Sequence, residues 1–117
     1  MTMETTPRFL NGVYAFQGKG LGAPALLDAG LTYTVPGDRR AQLIYLRAGN
    51  SSDALVNIVL MRAGKPMRMF PIGAKDAMHV PLAVVEDIFP ETVLELHLAA
   101  PQGVAGEVVV DLGLMEI

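Results

Sequence analysis

Residues 92–100 read TVLELHLAA, and their alternation decides the fold. Leu94, Leu96 and Leu98 recur at every second position, with Glu95 and His97 between them. An extended chain turns successive side chains to opposite faces, so this pattern buries three leucines and wets the two polar residues. The closing stretch EVVVDLGLMEI, 107–117, follows the same rule, with Val108, Val110, Leu112 and Leu114 on one face.

Working outward, the same period of two recurs between clusters of Gly, Pro, Asn and Asp. FLNGVYAFQ, 9–17, reads as a strand with a kink at Gly12. LTYTVP, 31–36, is a short strand stopped by Pro36, and AQLIYLRAG, 41–49, is a longer one. ALVNIVLMRAG, 54–64, is a strand apolar on both faces: Val56, Ile58 and Leu60 share one, while Leu55, Val59 and Met61 share the other with Asn57. KPMRMFPIG, 65–73, carries two prolines, which suits a sheet edge. GKGLGAPALLDAG, 18–30, reads as a glycine-rich loop with at most one helical turn. In AMHVPLAVVEDIFPE, 77–91, Pro81 argues against one long helix and leaves a short one over LAVVEDIF, 82–89. About eight short strands with little helix make an all-β chain. The expected architecture is an antiparallel β-sandwich of jelly-roll type, one domain over residues 1–117.

Composition narrows the partners. The 117 residues are 51% hydrophobic and 18% charged, with mean hydropathy +0.38 and net charge −3. No basic stripe is present, which argues against nucleic acid. The absence of cysteine excludes disulfides, thiolate metal sites and cysteine nucleophiles. No apolar run approaches the length of a membrane helix, and the start lacks a basic stretch followed by an apolar one, so no membrane association is expected and the default compartment is the cytoplasm. A two-layer sandwich covers only one face of each sheet, yet strand 54–62 is apolar on both. A homo-oligomer, first of all a dimer, is the expected extra cover. It would use a sheet face carrying Val109 and Met115, or a sheet edge.

The order of features from about residue 30 to 117 adds a family. LTYTVPGDRRAQLIYLRAGNSSDALVNIVLMRAGKP, 31–66, runs from a strand ending in Val-Pro through a polar turn. It continues to a strand ending in Arg-Ala, then to a strand leading into a small-residue-plus-Lys turn. GEVVVDLGLMEI, 106–117, is a hydrophobic closing strand containing an Asp. Together these resemble carbohydrate-binding-module or galactose-binding-like β-sandwich domains. The resemblance implies the sandwich fold and a non-enzymatic binding or accessory role, with a glycan or another small polar ligand as partner. Such modules present aromatic faces to sugars; here there is no Trp, and the tyrosines are Tyr14, Tyr33 and Tyr45. Ligand contacts are expected in the loops GKGLGAP, NSSD and PQGVAG, at Lys19, Asn50, Asp53 and Gln102, or on a concave sheet face. A structural, self-assembling protein is the alternative.

Other constellations carry less. MRAGKPMRMFPIGAKDAMHV, 61–80, holds four of seven methionines and one of two histidines. Thioethers suit Cu(I), and Met67 and Met69, two apart, would share a strand face with His79 approaching across a turn. Met is also a flexible core filler, and that reading is preferred, so no metal is assigned. GKGLGA fits GxGxxA, but no helix long enough to hold a pyrophosphate follows, and no cofactor is expected. His79, His97, Glu95 and Asp111 could form an acid–base set on paper, without a spacing signature. A small metal-dependent cupin-like enzyme is the weaker alternative, since such sites usually need several histidines and a Glu at recognisable spacing and only two histidines are present. Asp38, Arg39 and Arg40 in the PGDRR turn, with Arg47 and Arg62, could rim an anion, or simply serve solubility.

Overall fold

The computed structural model describes residues 4–82 and 87–117. It contains ten strands: β1 Thr6–Gln17, β2 Gly20–Leu26, β3 Thr32–Thr34, β4 Ala41–Asn50 and β5 Val56–Arg62, then β6 Lys65–Ile72, β7 Ala77–Pro81, β8 Asp87–Ile88, β9 Val93–Ala100 and β10 Ala105–Glu116. A single 3₁₀ turn, Ala29–Leu31, precedes β3 and is capped by Asp28, whose carboxylate accepts from the Gly30 N–H at 2.8 Å. All pairings are antiparallel, in two five-stranded sheets. The first runs β1-β10-β4-β7, with β8 also on β4; the second runs β2-β9-β5-β6, with β3 also on β9. This is a jelly-roll sandwich.

The alternation set out above places the core between the sheets. Leu94, Leu96 and Leu98 of β9 face Val108, Val110, Leu112 and Leu114 of β10, all buried. Leu46 of β4 and Ile58 and Leu60 of β5 complete the layer without measurable exposure. Burying each such side chain contributes about 1.5–3 kcal/mol. β5 and β6 are joined by Ala63 and Gly64, both at positive φ (50° and 79°), a two-residue turn whose twist matches the strands it joins.

Three sequence readings need correction. Residues 20–26 form the exposed strand β2 rather than a loop: it meets β9 at Gly20 and again at Ala25–Leu26, with an irregular stretch between. Of the helix expected over 82–89, residues 83–86 lie outside the described residues. Asp87–Ile88 is a strand, since Ile88 is buried opposite Ala41. Met67 and Met69 do not share a face. β6 bulges at Met67, because Leu60 pairs with Arg68 while Met61 pairs with Pro66. A bulge reverses the side-chain alternation, so Met67 packs against the core and Met69 stands out opposite Val59.

The centre of the outer face of β5, at Val59, is also already covered. Val59 is 1% exposed within the single chain, flanked in the sheet by Met69 of β6 and His97 of β9. Long side chains on neighbouring strands shield a small residue between them, so β5 alone does not call for a second subunit.

Candidate functional site

Two ends and two outer faces are available for function, and the loop end is the first expected from the sequence. There Asn50 is buried and fully committed. Its amide donates to the carbonyls of Ala54 at 2.9 Å and Gly73 at 3.0 Å. Its Oδ1 accepts from the Ser52 N–H at 2.9 Å and the Ser52 hydroxyl at 2.8 Å. With the backbone bonds Asn50 N–H to Asp76 and Lys75 N–H to Ser52, it locks the β4–β5 loop onto the β6–β7 loop. Asn50 is therefore a structural pin without a free group for a ligand. Asp53 is exposed and pairs with Lys75 at 3.2 Å. Lys19 and Gln102 are exposed in two turns that Gly18 ties together, its N–H donating to Val104 and its carbonyl accepting from Gly103. These three rim the same end but do not converge on a cavity.

The opposite end holds a buried carboxylate. Glu116 accepts from the Tyr33 hydroxyl of β3 and pairs with Arg8 Nε of β1 at 3.2 Å, so it bridges both sheets. Burial, and then the bond to Glu116, push the Tyr33 pKa up. This is a clasp between layers, with little of it open to a ligand.

The outer face of the first sheet is different. Register places Asn11 beside Asp111, Asp111 beside Arg47, and Arg47 beside His79. β1, β10, β4 and β7 thus each give one polar side chain to a single row across the full sheet. Arg47 bonds Asp111 Oδ2 at 3.1 Å, and the Tyr45 hydroxyl donates to the same oxygen at 3.1 Å. The Arg47 guanidinium sits 5.0 Å from the Tyr45 ring centroid, and the His79 ring meets Tyr45 edge-on at 6.0 Å. The neighbouring Tyr45 hydroxyl raises the Arg47 pKa above its ordinary value, so this cation is permanent.

Tyr45 lies where it does because its cross-strand partner is Gly113. A Cβ at Gly113 would fall 2.1 Å from Tyr45 Cε2, so the ring lies over the position a side chain would fill. An aromatic covering a cross-strand glycine keeps the backbone dry. β4 also bulges at Ile44, since Gly113 pairs with Tyr45 and Leu114 with Leu43. On the other side of the polar row, Gly49 and Ala77 leave a shallow depression of about 570 Å³ bounded by Arg47, Asp111, Val109 and Met78. Of the row, the Arg47 fork and the Asp111 carboxylate border this groove, which is floored by small residues, while Tyr45 flanks the row on its far side.

The remaining candidates fall apart spatially. Met69 is on the outer face of the second sheet, Met67 against the core and His79 on the first sheet. His97 and Glu95 are neighbours at 3.2 Å on the second sheet, whereas Asp111 and His79 belong to the first. Among the described residues no three His, Cys, Asp or Glu side chains are placed to hold a metal ion. Arg39 donates to the Glu4 carbonyl at 2.7 Å, Arg40 pairs with Asp87 at 3.2 Å and Arg62 stacks over Phe89, so these arginines do not gather with Arg47 into one anion rim, in keeping with the preferred reading of surface solubility. No described helix is long and apolar enough to cross a membrane. Of the row, the sequence singled out Arg47 for an anion rim and His79 and Asp111 for an acid–base set, and so did not join the three. Asn11 and the role of Tyr45 were missed, because only the register of four strands joins them. Gly113, standing between Leu112 and Leu114 in the closing strand, was the available signal.

No protein-family model matches the chain, and no curated protein matches it in sequence. Solved structures match its fold. The CBM36-1 domain of a multidomain xylanase from the hindgut metagenome of Trinervitermes trinervoides superposes with TM-score 0.54 at 14% identity, over 90% of this chain and 95% of that domain. The structure of infectious bursal disease virus Gx strain superposes with TM-score 0.54 at 11% identity, over 96% of this chain and 32% of the viral chain. The Gt strain gives 0.51 at 11%, over 95% and 33%. The chain spans about a third of the viral chains it matches. Identities this low establish a shared fold: this is a β-sandwich like that of carbohydrate-binding modules and also like that of a viral protein. Fold and function are separable, so the site must carry the functional argument.

Proposed function

We propose that this protein is a non-enzymatic binding domain that takes a carbohydrate chain along the outer face of its first sheet. The observation that carries this reading is the row Asn11–Asp111–Arg47–His79 beside the Tyr45 ring. Sugars offer many hydroxyls that both donate and accept, on rings with apolar faces. The row supplies the Asn11 amide, which both donates and accepts, and donors at Arg47 and His79, while Asp111 holds Arg47 and Tyr45 in place. Tyr45, partly buried and fixed over Gly113, supplies an apolar surface without rotamer loss on binding. The resemblance to a xylanase-borne domain supports the choice of ligand class at the level of fold. Calorimetric titration with soluble oligosaccharides tests it. Saturable binding is expected for at least one saccharide, weakened at least tenfold by Arg47→Ala with an unchanged melting temperature. Absence of binding by any saccharide at millimolar concentration contradicts the reading.

A further inference from the structure

We infer that this protein pairs with a second copy of itself, strand β1 against strand β1, across a two-fold axis at Asn11. β1 ends its sheet: it bonds β10 along all twelve residues Thr6–Gln17, and no described strand lies on its other side. An edge of this length is about twice the usual strand and presents a row of outward backbone groups, of which the Asn11 carbonyl is bonded by the Tyr14 hydroxyl. The devices that blunt edges are scarce in it. There is no lysine, and its pairing with β10 shows no bulge. Its one charge, Arg8, is engaged by Glu116, and its proline, Pro7, is near one end.

What selects a second copy over another extended chain is the self-complementarity of β1. About Asn11, an antiparallel two-fold sets Phe9 beside the partner's Val13, and Val13 beside the partner's Phe9. Both are more than half exposed in the single chain, at 55% and 60%. Aromatic and β-branched residues are favourable cross-strand pairs, and symmetry makes the pair twice. On the inner side Leu10 meets the partner's Gly12 and Arg8 meets the partner's Tyr14, so no like charges are opposed. The Asn11 carbonyl accepts from the Tyr14 hydroxyl at 3.0 Å and retains a second lone pair for the ladder. The two polar rows then join through Asn11 into one track; that consequence depends on the proposed binding face, whereas the pairing does not.

The chain has no cysteine, which makes the register directly testable. Residues facing each other on a two-fold antiparallel pair lie about 4.5–5.5 Å apart at Cα, within disulfide reach. Asn11→Cys is expected to form a covalent dimer on mild oxidation, at least tenfold faster than Val109→Cys, which is similarly exposed but one strand inward. Sedimentation of the wild-type chain at tens of micromolar is expected to show a dimer. Val13→Lys should weaken it tenfold or more without lowering the melting temperature, and Val109→Lys should leave it intact. A wild-type monomer overturns the inference. So does a dimer that survives Val13→Lys or dissolves with Val109→Lys, and so does equal crosslinking at both cysteines.

Discussion

Single atoms decide several properties of this sandwich. Adding one methyl at Gly113 pushes the Tyr45 ring off its seat, because the new Cβ would lie 2.1 Å from Cε2. Gly113→Ala is expected to cost about 1–3 kcal/mol in urea denaturation, as overpacking does, and to weaken ligand binding in parallel. Asn50→Ala removes four bonds that close two loops and leaves the Gly73 and Ala54 carbonyls without its amide. Leaving such partly buried groups unpaired costs about 1–3 kcal/mol each, so the loss of stability should exceed that of any exposed loop substitution. Ligand affinity, corrected for unfolding, should stay unchanged. Asn50 shows how far a residue type can be read. Asn in a polar loop signals hydrogen bonding, but whether those bonds go to a ligand or to the protein's own carbonyls depends on loops that meet only after folding.

At the scale of elements, alternation carried nearly all the legible structure. TVLELHLAA and EVVVDLGL name their buried faces residue by residue, because a strand has no freedom in which side each residue takes. The misreadings fall where alternation is broken or polarity gives no clue: the bulge at Met67, the exposed strand β2 and the two-residue strand β8. The clasp of β3 on β10 is another feature that spacing hides, since Tyr33 and Glu116 are 83 residues apart. It has a pH signature. Burial first, then the bond to Glu116, raise the Tyr33 pKa in the folded state. Between the unfolded value near 10 and the folded one, the native chain holds a proton that the unfolded chain has released. Stability should therefore be unaffected by this group below about pH 10 and decline as pH rises beyond it. Urea midpoints at pH 9 and pH 11 measure the decline, and Tyr33→Phe should reduce it. An equal or steeper decline in Tyr33→Phe would assign the alkaline loss to other groups.

For the whole molecule, the sandwich leaves its first sheet's outer face to carry a polar row one residue deep and four strands wide, with Tyr45 seated beside it. The second sheet instead covers Val59 with its own neighbours. The same fold serves a xylanase domain and a viral protein, so what distinguishes this chain is the chemistry laid across one face. The most direct test is residue-resolved: backbone amide NMR of the labelled protein during titration with a bound oligosaccharide. Ligand on the outer face should move the resonances of Asn11, Tyr45, Arg47, His79 and Asp111 together, along one saturation curve. Shifts confined to the loops of Lys19, Asp53 and Gln102, with the row unmoved, would contradict it.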